Sequence, residues 1–368
     1  MATVSIIAAV NCLPLRLPFN HWADPPLFAG KPRTTLDSVL VRVALANGLV
    51  GWGEAYGGEV SAVSALLQNR IAPLVCGEDV ADRTLTARLE RTLHNLGRSG
   101  SVLHALSGLD IALWDLRGKL ERRPLFDLLG GAVRSRVPAY ASLLQYYGSS
   151  ARVAQNVRRA IDAGYGAVKL HERSIDAVAA ARDALGPGVP LMVDTNCGWT
   201  RAEAADAIRP LAELDPTWIE EPLWPPEDTE ALVALRRSTG LPMAVGENAT
   251  SVHELESLVS SGAADYVQPS VIKSGGVTML TRLSQLCEGS DSVALSPQTA
   301  FFGPGFLATL HVLAAHRDDV RIERLYCELA HAPYPQAVRM KDGLFDVPDG
   351  PGLGADPDAA LLGSSASA

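Results

Sequence analysis

From residue 135 onward the apolar positions of the chain repeat a two-part figure. A stretch with apolar residues three and four apart is followed by a glycine or proline break and then a short apolar run. "ARVAQNVRRAIDAGYGAVKLH" (151–171) shows it, and so do "SIDAVAAARDALGPGVPLMVDTN" (174–196) and "RAEAADAIRPLAELDPTWIEEP" (201–222). "TEALVALRRSTGLPMAVGEN", "SVHELESLVSSGAADYVQPS", "GGVTMLTRLSQLCEGSDSVALSP" and the stretch from Phe306 to Glu323 continue the series. The pattern reads as helix then strand. A repeat of about 22 to 28 residues predicts parallel βαβ units whose strands are buried on both faces. Seven to eight units in a row point to a closed (β/α) barrel more than to an open sheet. No G-x-G-x-x-G or P-loop stands at a strand-to-helix turn, which weakens a nucleotide-binding reading.

The N-terminal part has a different rhythm. Residues 1 to about 60 alternate and turn as antiparallel strands do, and "SVLVRVALANGLVGWGEA" places two β-rich runs around Asn47-Gly48, a strong hairpin signal. From about Val60 to Leu129 the period becomes helical. In "SVLHALSGLDIALWDLRGKL", Leu103, Leu106, Leu109, Ile111, Leu113 and Leu116 form one broad stripe. Gly130-Gly131 closes that block. The tail from about Ala330 is rich in Pro and Gly, and its last residues, "SSASA", are expected to be disordered.

Composition narrows the classes. The chain has 368 residues, 47% of them hydrophobic, enough for a large core. Its net charge of −9 speaks against nucleic-acid binding. No uninterrupted apolar run is long enough to span a membrane, and the N-terminus lacks the basic region of a signal peptide. The five cysteines are scattered and odd in number, which fits a reducing, cytoplasmic setting and not a disulfide framework.

In a barrel the C-terminal strand ends line the active site. Lys169 and His171 are two apart at such an end, so both project to one face. The next ends carry Asp194 and Asn196 ("LMVDTN"), Glu220 ("WIEEP") and Glu247 ("AVGEN"), then Ser270, Gln298 and Glu323. Three consecutive strands thus end in a carboxylate. Carboxylates converging there repel one another, and a hard divalent cation held by oxygen ligands, Mg²⁺ above all, relieves that.

The ordered motifs K-x-H, D-x-N, E-E-P, G-E-N and I-K-x-G-G resemble the enolase superfamily, in its mandelate racemase and muconate lactonizing enzyme branch. The resemblance runs over nearly the whole chain. It implies a modified TIM barrel, (β/α)7β, over residues 131–328, with an α+β capping domain over residues 1–130. Residues 329–368 would return to complete the cap. It also implies Mg²⁺ on Asp194, Glu220 and Glu247, and a homo-oligomer, dimer or octamer. His171 matches the position of a base that removes the proton α to a carboxylate, with Lys169 beside the enediolate so formed. Glu323 matches an acid whose neutral form donates a hydrogen bond to the substrate carboxylate. Asn196 joins these as a catalytic candidate.

The departures from the family pattern direct the choice of reaction. A second base on the opposite face would be a Lys on the sixth strand or a His on the seventh. Ser270 and Gln298 stand there, with Lys273 three residues too late, so two-base racemisation ranks low. Dehydration of an acid sugar by one base ranks first, cycloisomerisation next, racemisation or epimerisation third. A barrel that binds Mg²⁺ and a carboxylate without chemistry is the reading from another class. His104, His311 and His316 are expected to be structural. The long segment "FNHWADPPLFAGKPR" (19–33) and "GEAYGG" (53–58) read as lid loops, so His21, Trp22, Phe28, Arg33 and Tyr56 are candidate substrate contacts. Gln298, Ser270 and Lys273 complete that set, and "LLQYYG" (143–148) is a further candidate segment.

Overall fold

The structure, a computed structural model, describes residues 5–364. The expectation of disorder for "SSASA" falls almost wholly on residues 365–368, which lie outside the described residues. The N-terminal strands Ile7–Asn20, Thr35–Leu45 and Val50–Tyr56 form an antiparallel meander. Its second turn is the Asn47-Gly48 hairpin: Gly48 takes φ 87°, where a side chain would be strained.

The long helix Ser101–Glu121 lies across this sheet at very close range. A Cβ on Gly53 would fall 1.9 Å from the Gly108 carbonyl oxygen, so only glycine allows that approach. The sequence pattern suggests one apolar stripe on this helix, yet nearly every residue from Val102 to Gly118 is buried. The reason is that its other face meets the barrel. Trp114 Nε1 donates to Thr278 Oγ1 at 2.9 Å, and Thr278 Oγ1 donates to Asp110 at 2.7 Å.

The barrel strands are Arg136–Leu143, Val168–Leu170, Leu191–Asp194, Trp218–Glu220, Met243–Val245, Tyr266–Val267, Ala294–Leu295 and Ile322–Leu325. The first seven pair in parallel in chain order, and the eighth pairs with the first from Ile322↔Ala139 to Leu325↔Ser142. A helix follows each of the first seven strands, which gives (β/α)7β. The tail serves both parts of the fold. Glu328–Leu329 pairs with the end of the first capping strand, Leu344–Asp346 pairs with the start of the first barrel strand, and Leu353 N donates to Asp115 on the long helix at 2.9 Å. No helix among the described residues is long and apolar enough to cross a membrane.

Candidate active site

The barrel brings the strand-end residues to one place. One carboxylate oxygen each from Asp194, Glu220 and Glu247 lie within 4.8 Å of one another. Asp194 and Glu220 are buried, and Glu247 is half-buried. Lys169, at 1% exposure, is wedged among the acids: its Nζ lies 2.5 Å from Glu220, 2.9 Å from Glu323 and 3.6 Å from Asp194. Trp218 Nε1 donates to the other Glu220 oxygen at 2.9 Å from the barrel interior. Asn196, just past the third strand, donates both its backbone N–H and its amide Nδ2 to Asp194 Oδ1. Asp194 Oδ2 lies 3.1 Å from His171 Nε2 but accepts no directed hydrogen bond.

Charge follows from this packing. Burial alone would raise the Asp194 pKa, but His171 and Lys169 outweigh it and hold the carboxyl well below its usual range. Burial would likewise lower His171, yet the Asp194 carboxylate pushes the imidazole up to about 9. Glu220 is driven upward by burial, with Asp194 and Glu323 adding to the effect. His171 Nδ1 sits 2.6 Å from the Leu143 carbonyl, so that nitrogen carries a proton, and Nε2 meets Asp194 Oδ2 at the cavity wall. Burial would raise the Glu323 pKa, but Lys169 at 2.9 Å outweighs that and lowers it, and the carboxylate accepts from Thr299 N at 2.8 Å.

The triad fits a divalent cation. Its donors are all carboxylate oxygens, they converge at chelating distance, and one buried oxygen lacks a hydrogen-bond donor.

Above the triad is a cavity of about 300 Å³ between barrel and cap. His171, Asp194, Asn196, Glu247 and Glu323 line it from the strand ends, with Lys273 and Gln298 from the sixth and seventh loops. Phe28, Arg33 and Tyr56 close it from the cap, and Leu144 and Gln145 from the first barrel loop. Lys273 Nζ pairs with Glu247 at 3.0 Å and lies 4.8 Å from the Tyr56 ring centroid. Lys169 and Glu220 lie beneath this surface and reach it through their neighbours.

Three expected substrate contacts do not reach the cavity. His21 is buried at 2% exposure between the rings of Phe19 and Tyr146, because the end of the first capping strand turns inward there. Trp22 takes a left-handed φ of 61°, which lays its ring against Tyr326 and under the Arg159 guanidinium. Ser270 is wholly buried below the surface that Lys273 presents. His311 and His316 are buried in the helical layer, and His104 packs edge-on against Tyr56.

Sequence reasoning missed Asp37, Glu54 and Arg173, all of which line the cavity. Arg173 extends the same-face spacing of Lys169 and His171 by one more step, a signal that was available. Glu54 accepts from Gly305 N at 3.0 Å, tying the cap to the helix after the seventh strand, and burial pushes its carboxyl up to about 7.

A capped barrel of eight strands with an acidic triad at three successive strand ends defines a narrow class of proteins. Residues 152–361 match the family described as Enolase C-terminal domain-like, and residues 18–130 match Mandelate racemase / muconate lactonizing enzyme, N-terminal domain. The chain belongs to the mandelate racemase / muconate lactonizing enzyme family of the enolase superfamily. It is 32% identical to D-galactarolactone cycloisomerase of Agrobacterium fabrum, over 92% of this chain and 93% of that protein. It is 31% identical to D-galactonate dehydratase of Verminephrobacter eiseniae, over 88% of this chain and 90% of that one. A mandelate racemase/muconate lactonizing protein from Paracoccus denitrificans, solved with magnesium, superposes with a TM-score of 0.84 at 30% identity. That match covers 98% of this chain and 96% of the other.

Proposed function

We propose that this protein is a Mg²⁺-dependent lyase that removes the proton α to the carboxylate of a polyhydroxylated acid and expels the β-hydroxyl as water. One observation carries the reading: at the end of the second barrel strand, Lys169 Nζ and His171 Nε2 lie 3.6 Å and 3.1 Å from the same oxygen of Asp194, one of the three convergent carboxylates. Asp194, Glu220 and Glu247 would hold the Mg²⁺. Bound there, Mg²⁺ neutralises the charge that develops on the substrate carboxylate as the α-proton leaves.

The protein's own groups do the rest. His171 accepts the α-proton at Nε2 once that nitrogen has lost its own proton, with Nδ1–H held by the Leu143 carbonyl. Because Asp194 outweighs burial and pushes the imidazole up to about 9, the rate is expected to climb as pH rises toward that value. Lys169 places a positive charge beside the site of enediolate formation and is itself held by Glu323. With the α-proton on His171, the electron pair left on the α-carbon forms the double bond and the β C–O bond breaks. The His171 proton goes to the departing oxygen, so the balance is loss of one water. The enol then tautomerises to a 2-keto-3-deoxy acid. Gln298 Oε1 is buried without a hydrogen-bond partner and serves to orient a substrate hydroxyl, since an amide is not basic.

The identity to a cycloisomerase favours a second reading, in which the β-leaving group is a lactone or ring oxygen and no water is lost. One panel separates the two. With Mg²⁺ and a set of hexonic acids, hexaric acids and their lactones, dehydration yields a keto acid 18 mass units lighter than the substrate acid, detected as its semicarbazone. An isomer of unchanged mass from a lactone alone supports cycloisomerisation. Turnover of neither kind removes both readings.

A further inference from the structure

We infer that the substrate carries a second anionic group, a carboxylate at the end remote from the reacting one, and that Arg33 on the capping domain binds it. This rests on the reading proposed above and narrows the substrate class to dicarboxylic sugar acids or acids of that charge pattern.

The inference comes from the cations that line or underlie the cavity. Lys169 has Glu220, Glu323 and Asp194 within 4 Å, and Lys273 has Glu247 at 3.0 Å. Two guanidiniums stand apart. Arg173 is exposed and reaches only the Gly198 carbonyl, at 3.2 Å. Arg33 is half-buried, and its Nε donates to the Thr35 carbonyl at 3.3 Å. Among the described residues its two Nη atoms meet no hydrogen-bond acceptor and no carboxylate. Asp37, on the same wall, acts on Arg33 by charge only and is itself in an ion pair with Arg16 at 3.6 Å.

Arg33 is also held in place. Its guanidinium stacks 4.8 Å from the centroid of Phe28, in the short hairpin that closes the cavity from above. Burial there lowers its pKa, and Tyr56, Asp37, Cys327 and Glu247, in that order, offset part of this. A planar guanidinium whose Nη atoms have no acceptor matches a carboxylate through two parallel hydrogen bonds. A molecule with carboxylates at both ends would satisfy the triad side and Arg33 together. Asp37 Oδ1, buried and without a donor, lies on the same wall and accepts a hydroxyl of such a chain. At about 300 Å³ the cavity is at the small end for ligand sites, so a short molecule reaches both ends.

The test is calorimetric titration of the full-length protein with matched pairs of six-carbon acids. In each pair the hexaric acid and the hexonic acid differ only in carboxylate against hydroxymethyl at the far end. Galacto, gluco and manno pairs are titrated with and without Mg²⁺. In the wild type the hexaric member of the tightest pair is expected to bind at least about tenfold more tightly, as a charge-assisted pair demands. In Arg33→Gln that ratio is expected to fall to about 1, and in Arg33→Lys, which keeps the charge but not the fork, to lie between. Thermal melting and retained Mg²⁺ binding show that the variants are folded, and the wild-type ratio decides even if they are not. Mg²⁺-dependent binding of both members with equal affinity overturns the inference and leaves the proposed function standing. A high ratio that persists in Arg33→Gln overturns the assignment to Arg33. Absence of Mg²⁺-dependent binding by any acid overturns the proposed function, and this inference with it.

Discussion

Replacing Asp194 with Asn is expected to eliminate Mg²⁺ binding and, with it, all proton exchange at the α-carbon. Against the effect of its burial, His171 and Lys169 hold Asp194 ionised. Its Oδ2 is the buried oxygen that no donor satisfies. An amide there removes one of three charges and turns half of the group into a donor. Hard cations such as Mg²⁺ demand anionic oxygen in near-ideal geometry, so two remaining carboxylates are not expected to retain it. Loss of binding must be separated from loss of fold. In the wild type, Mg²⁺ at about 100 times its Kd should stabilise the protein by about 2.7 kcal/mol. In Asp194→Asn the melting temperature should not respond to Mg²⁺ at all. A variant that still melts higher with Mg²⁺ would place the cation elsewhere.

The second large effect falls on His171. His171→Asn is expected to keep Mg²⁺, since all three carboxylates remain, and to lose α-proton exchange by about 10² to 10⁴-fold, the usual worth of a general base. Lys169→Met should also lose exchange, but for a different reason and with a different signature. Lys169 is the only cation within 4 Å of Glu323 and of Glu220 among the described residues. Its removal leaves buried acids without compensation, at about 3 to 5 kcal/mol. The metal-free Lys169→Met protein should therefore melt well below the metal-free His171→Asn protein. Equal exchange in wild type and His171→Asn would transfer the role of base to Lys169.

The fold and the reacting end of the site were legible in the sequence for a common reason. A barrel repeats its strand ends at a regular interval, so Asp194, Glu220 and Glu247 can be placed in register without knowing any tertiary contact. Lys169 and His171 share a strand face by the alternation of side chains alone. What could not be read depends on packing between distant segments. Whether His21 and Trp22 enter the cavity is decided by the turn after the first capping strand, where Trp22 adopts a left-handed backbone that no pattern announces. The 2.9 Å pairing of Lys169 with Glu323 could not be read either, because the lysine is on the second barrel strand and Glu323 on the eighth, which pairs with the first. The long helix reads as amphipathic because one stripe is strongly apolar. It is buried all round because glycines on one side admit the sheet and polar residues such as Asp110 bind the barrel on the other.

In the proposed reaction one base, on one face of the substrate, removes the α-proton. Gln298 and the buried Ser270 offer no proton acceptor opposite it, and Lys273 is occupied by Glu247. The measurement that tests this most directly is solvent deuterium incorporation at the α-carbon, followed by NMR, with Mg²⁺ and both α-epimers of an accepted acid sugar. One epimer is predicted to exchange or react and the other to keep its proton. Exchange of both epimers at similar rates would reveal a second base, with Lys273 the first residue to replace, and would contradict the account.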